Sequence, residues 1–284
     1  MKRTTSFLFL AALSGAAWAQ DAGSVSEPQP ERIQAEFSDV YEASIEIDSG
    51  LDSHPAIQTV VRNDELGVLA DFAAQAVEDH ARWMADAPEW SWNGYFQDVT
   101  IEIAFANPDV ISLVRRASYY TGGAHPNQAV DAVVTRADEL APITLSEILN
   151  DTAIDGPAMT ALFYALYREL MAIKRDRLGE GFDERVERET WLSSLAAEPG
   201  AFPDFSLLPN ESGEAAAGLV FHFEPYEIGS YAEGSYDVPV PLAAFDSYLS
   251  ESWRSVFAGA PARTILTQPG DELEPETVSE PGND

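Results

Sequence analysis

The run Tyr119-Tyr120-Thr121-Gly122-Gly123-Ala124-His125-Pro126-Asn127 restricts this chain more than any other stretch. The residues leading into it, from Val110 to Thr121, are rich in β-branched and aromatic side chains, which suit a pleated strand. Two adjacent glycines then permit backbone angles that a Cβ forbids, and Pro126 biases His125 toward extended backbone. The strand must end in a shaped loop that positions His125. Upstream, Ile101, Ile103 and Phe105 alternate with polar or small residues, and Asn107-Pro108-Asp109 is turn chemistry. These runs predict an antiparallel hairpin with the glycine pair at its far end. Ala129 to Thr135 predicts the next strand.

The same two periodicities organise the rest. Tyr41, Ala43, Ile45 and Ile47 alternate with polar residues, as in a strand with one wet face, and Asp48-Ser49-Gly50 ends the run. Val68, Leu69, Phe72, Ala73, Ala76, Val77, His80, Trp83 and Met84 recur at helical spacing, with Asn63 or Asp64 as cap and Pro88 just beyond the end. Thr144-Leu145-Ser146-Glu147 reads as a capping box. Pro157 suits the first turn of a helix reaching Leu178, striped by Leu162, Phe163, Leu166, Leu170 and Ile173. Gly179 to Gly181 breaks it, and Phe182 to Leu195 predicts another helix. Phe205 to Leu208, Gly218 to Phe223 and Tyr236 to Val240 read as strands, with His222 on the face opposite Leu219, Phe221 and Phe223. Leu242 to Phe257 reads as a last helix. Turn-paired strands and segregated helices indicate an α+β fold, with mainly antiparallel sheets, packed helices and two intimately associated subdomains.

The ends and the charge bound the setting. Lys2 and Arg3, an apolar run from Phe7 to Leu13, and Ala17-Trp18-Ala19 predict an export signal cleaved after Ala19, hence a periplasmic or secreted protein. That run is far short of the ~20 residues that cross a bilayer, so no membrane span is expected. The predicted organisation is signal peptide 1–19, disordered acidic linker 20–36, subdomains 37–111 and 112–258, and disordered acidic tail 259–284. The absence of cysteine excludes a disulfide framework and thiol chemistry. A net charge of −32 argues against nucleic acid or an anionic membrane surface as partner, while its field favours encounter with a basic protein. The same acidity also serves solubility alone.

Tyr119 to Pro126, the strand through Asp131 and the helix start Ile143-Thr144-Leu145 resemble the signature of the RsiV-like extracytoplasmic domain family. Phe205-Ser206-Leu207, Gly218 to Phe223, Glu224-Pro225-Tyr226-Glu227-Ile228, Tyr231, Gly234 and Val238 to Pro241 are similar to that family's closing strands and loop. Phe37 to about Ile111 is similar to the preceding domain, which also accompanies the deacetylase PdaC. The resemblance implies an α+β extracytoplasmic module. One member of that family is an anti-sigma factor that senses lysozyme, and others accompany cell-wall enzymes. Lysozyme or peptidoglycan fragments are therefore the implied partners.

The candidate catalytic residues are His125, with the Gly-Gly pair offering N–H groups to an anion, and Glu224 and Glu227, which flank the rigid Pro225-Tyr226 turn. The bland alternative is a hydrogen-bonded corner histidine and turn-stabilising carboxylates. The four histidines lie on separate elements without helix-ligand spacing, and no Gly-x-Ser-x-Gly, Ser-x-x-Lys, Walker or Gly-x-Gly-x-x-Gly motif occurs, so no metal and no cofactor is expected. Trp90 and Trp92, with Tyr120, His125, Tyr226 and Tyr231, are the candidates for binding a ligand or partner. Two functions stay open: a non-enzymatic envelope binding module, or an extracytoplasmic hydrolase using His125 and the Tyr226 loop.

Overall fold

The structure, a computed structural model, describes residues 29–86, 91–137, 141–202 and 204–262. Strand β1 spans Glu31–Phe37 and β2 spans Tyr41–Ile47, where the apolar alternation buries every second residue. Helix α1, Pro55–Asp86, carries the chain across the sheet to β3, Tyr95–Ala106, which lies parallel to β2. Such a parallel pair requires a crossover, and α1 is that crossover. β4, Val110–Tyr120, and β5, Asn127–Arg136, complete a five-stranded sheet in the order β1-β2-β3-β4-β5, with the remaining pairs antiparallel. Arg115 of β4 grips the buried Glu65 of α1, Nε to Oε1 at 2.6 Å, and so ties the helix to the sheet.

The short α2, Leu145–Ile148, starts at the expected Thr144/Glu147 capping box. α3, Pro157–Leu178, ends at Gly179 as expected, and Leu162, Leu166 and Leu170 of its stripe are fully buried. That stripe packs on a second sheet, β6 Phe205–Pro209, β7 Ala216–Phe223 and β8 Tyr236–Pro241, all antiparallel. Each buried leucine contributes about 1.5–3 kcal/mol relative to an exposed one. Gly218 is required here, because a Cβ would collide with the Val240 carbonyl oxygen.

Several sequence expectations need correction. Residues 31–36, expected in the disordered linker, form β1. α1 starts at Pro55, so Asn63 and Asp64 are interior; the His54 carbonyl already accepts the Gln58 N–H. On its surface Val68, Val77 and Met84 face solvent. The boundary expected between 111 and 112 falls inside β4, and Phe105, Val110 and Val134 of the first sheet belong to the same core as α3 and the second sheet. The expected helix 182–195 reduces to α4, Glu184–Val186, followed by a π-type turn, Glu187–Trp191. The expected helix 242–257 is instead three 3-10 turns. There Leu249 adopts extended backbone and bridges Leu149, and Ser250 N–H goes to Ile148 O, so pairing outside the segment wins over local helical bonds.

Candidate functional site

Gly122 and Gly123, with φ of 94° and 111°, turn the chain between β4 and β5, and Tyr120 Oη donates to Gly123 O at 3.0 Å. Beyond the turn, half-buried His125 lays its ring on Tyr231, centroids 4.0 Å apart and planes 27° apart. Its Nδ1 lies 2.8 Å from Pro126 O, a contact that requires Nδ1 to carry the proton. Nε2 of the neutral ring is then the lone-pair nitrogen. Tyr231 Oη donates to the same carbonyl at 2.6 Å. Tyr226 completes the group, its ring 5.7 Å from Tyr231 and 6.5 Å from His125. The hairpin loop of the first sheet and the β7–β8 connection of the second thus meet as one aromatic cluster.

Tyr226 is unusual in two respects. It is 58 % exposed, and its φ is 75°, a left-handed conformation that costs a non-glycine residue about 1–2 kcal/mol. Carboxylates surround the loop. Glu224 Oε1 accepts Val130 N–H at 3.1 Å, and Glu227 Oε2 accepts Glu224 N–H at 3.0 Å. Asp204 Oδ1 accepts Ala132 N–H at 3.1 Å. Burial, and then the Asp131 charge, push the Asp204 carboxyl above its usual range against the pull of the Ala132 N–H and His222.

The loop is anchored from below by Lys174, fully buried on α3. Its Nζ donates to Ile228 O at 2.9 Å and to Glu233 Oε2 at 2.6 Å, and lies 2.9 Å from Glu187 Oε2. Burial alone would raise the Glu233 carboxyl. Hydrogen bonds from Lys174, Tyr236 and Ser230 outweigh it and hold that carboxyl at about 2. Ser230 and Glu233 also form a capping box around the turn that carries Tyr231.

Below the aromatic cluster runs a second polar line that the sequence reading missed. Ser206 Oγ is 2.9 Å from His222 Nε2, His222 Nδ1 is 2.7 Å from Asp237 Oδ1, and Asp237 Oδ2 is 2.7 Å from Arg116 of β4. Burial would raise Asp237, but His222 and then Arg116 hold it low. The arrangement has the connectivity of a nucleophile, a base and an orienting acid. Ser206 is only 1 % exposed and His222 6 %, so no substrate reaches the hydroxyl in this conformation, and the line ties the two sheets together. Its signal was register: His222 sits directly across from Asp237, and Ser206 one diagonal away.

Of the sequence candidates, His125, Tyr226, Tyr231, Glu224 and Glu227 gather around the two loops, whereas Tyr120 braces the glycine turn and sets its ring against Tyr95 and Phe96 of β3. Trp92 does not join them. Its ring stacks on Tyr95 at 4.7 Å, its Nε1 donates to Val40 O, and it packs against the first core, the one formed between α1 and the first sheet, so it fills a junction. Trp90 lies outside the described residues.

Comparison with known proteins places this geometry. No curated protein matches the chain. A DUF3298 family member from Bacteroides fragilis NCTC 9343, solved as a crystal structure, is similar with a TM-score of 0.53 and 17 % identity, over 79 % of this chain and 92 % of that one. A DUF3298 family protein from Pseudomonas aeruginosa PAO1 gives 0.49 and 12 %, over 82 % and 96 %. At such identity the Bacteroides likeness shows a shared fold. Residues 172–243, which include Lys174, His222, Tyr226, Tyr231 and Asp237, match the family described as "Protein of unknown function (DUF3298)", so about a quarter of the chain is similar to that family, on an α+β fold also found in a solved protein of it.

Proposed function

We propose that this protein is an exported, non-enzymatic binding module of the bacterial cell envelope that recognises lysozyme or another cell-wall-associated ligand. Tyr226 carries the reading: an exposed aromatic ring on strained backbone, beside His125 and Tyr231. Such strain persists only where the surroundings enforce it, and it concentrates at ligand clamps. Aromatic rings on a rigid loop are the usual anchors of a recognition surface. Glu224 and Glu227 beside them, on a chain of net charge −32, suit a basic partner. The resemblance to the RsiV-like family makes lysozyme the concrete candidate, with peptidoglycan fragments second.

The competing reading is a hydrolase built on His125, Glu224 and Glu227. One loop cluster holds all three residues. Against that reading, each carboxylate accepts a backbone N–H, and His125 Nδ1 is engaged by Pro126 O. Titration calorimetry with lysozyme, repeated with peptidoglycan fragments, separates the two. Binding is expected to weaken at least ~30-fold in Tyr226→Ala, the loss typical of a hot-spot residue. No binding of either ligand at low ionic strength, or equal binding by the variant, removes the proposal.

A further inference from the structure

The first sheet treats its two edges differently. Along β5 the outward backbone groups are occupied: Glu224 and Asp204 accept the N–H groups of Val130 and Ala132, and Ile143 N–H donates to Val134 O. Along β1, among the described residues, no strand pairs with the outer side. A bare edge is a template for another strand.

The sequence of β1, Glu31-Arg32-Ile33-Gln34-Ala35-Glu36-Phe37, is complementary to itself in one antiparallel register. With Gln34 on a two-fold axis, Arg32 falls opposite Glu36, Ile33 opposite Ala35, and Glu31 opposite Phe37, each pair occurring twice. The faces agree with this register. Arg32, Gln34 and Glu36 point to solvent, while Ile33 and Ala35 pack toward the first core and Glu31 bonds Arg62 of α1 at 2.8 Å. Alternation places Phe37 on that same α1 side, where the residue is 51 % exposed. Beside Glu31 lies a groove of about 240 Å³, lined by Glu31, Gln58, Thr59, Arg62 and Asn63. The register that pairs the charges also brings Phe37 of one copy against this groove of the other.

We propose that β1 is a homodimer interface, with two copies joined edge to edge through Glu31–Phe37 into one continuous ten-stranded sheet. The contact is isologous, so it closes at two copies and leaves no free β1 edge. Phe37 fills the groove beside Arg62, where a guanidinium over the ring adds a cation–π contact. Arg32 sits between Glu46 of its own sheet, already 2.9 Å away, and Glu36 of the second copy. The net charge of −32 on each copy opposes association at long range. The dimer is therefore to be measured near 0.15 M salt, where the Debye length is about 8 Å.

The test is sedimentation equilibrium of the purified protein over a concentration series, with thermal melts to show that each variant folds. Twice the monomer mass is expected for the natural chain. Phe37→Asp, at a surface position, is expected to give monomer. Arg32→Glu and Glu36→Arg each create like-charge pairs and are expected to weaken the dimer about ten-fold, while the double exchange restores it. A natural chain that stays monomeric throughout overturns the proposal. So does a dimer indifferent to Phe37→Asp, or a double exchange no tighter than the single variants.

Discussion

Replacing Lys174 with methionine tests what holds the Tyr226 loop. Methionine is close to lysine in volume and unbranched, so repacking costs less than about 1.5 kcal/mol. The larger effect is electrostatic. Glu187 and Glu233, with side chains 6 % exposed, lose their buried cation, and breaking a buried pair in this way costs about 3–5 kcal/mol. The Glu233 carboxyl agrees in direction: against burial, which would raise it, the Lys174 hydrogen bond is the largest influence holding it at about 2. The expected loss is therefore about 3 kcal/mol at pH 7, or roughly 10 °C in Tm for a domain of this size.

The pH dependence separates charge from packing. In the natural protein the depressed Glu233 carboxyl contributes stability that is complete above 4.5, and this is lost as pH falls through that value toward about 2. In Lys174→Met the Glu233 carboxylate has lost its cation, so the folded state is penalised most where that group must stay ionised and is relieved as it protonates. The gap between the two proteins is thus widest at neutral pH and narrows in acid. Urea unfolding followed by tryptophan fluorescence, at pH 7 and at about pH 4, reads it directly. A gap below about 1 kcal/mol at pH 7, or the same gap at both pH values, would refute the electrostatic account.

Two further outcomes follow from the same geometry. Tyr226→Gly removes the left-handed strain, so it should leave stability unchanged or raise it by up to about 1 kcal/mol while abolishing ligand binding; calorimetry and urea unfolding on one sample check both halves. Asp204→Asn keeps an acceptor for Ala132 N–H but removes a carboxylate whose ionised form the fold disfavours. It should stabilise the protein by a few tenths of a kcal/mol at neutral pH, with the gain vanishing as pH falls below the raised carboxyl value, as read from urea midpoints across pH.

What the sequence revealed and what it hid divide by the range of the forces involved. The hairpin ending in Gly122-Gly123, the Thr144 capping box and the buried stripe of α3 are local devices, legible because neighbours within a few residues determine them. Leu242 to Phe257 has helical spacing but folds as turns, because Leu249 finds its partner at Leu149, a contact no local pattern encodes. Charges set along β1 looked like a solvated tail, since a strand with one wet face and few apolar residues carries little periodic signal until β2 is beside it.

The cluster of His125, Tyr226 and Tyr231 was half visible for the same reason. Each residue stood in a conspicuous loop, but only the meeting of two sheets brings the loops together, and that meeting depends on buried and half-buried groups with no motif of their own. Lys174, Glu187 and Glu233 fix one loop to α3, while Arg116, Asp237, His222 and Ser206 fix the second sheet to the first. An exposed ring on strained backbone tends to relax or bury itself unless something beneath it resists. These two networks supply that resistance, so the proposed recognition surface and the charges beneath it belong to one device.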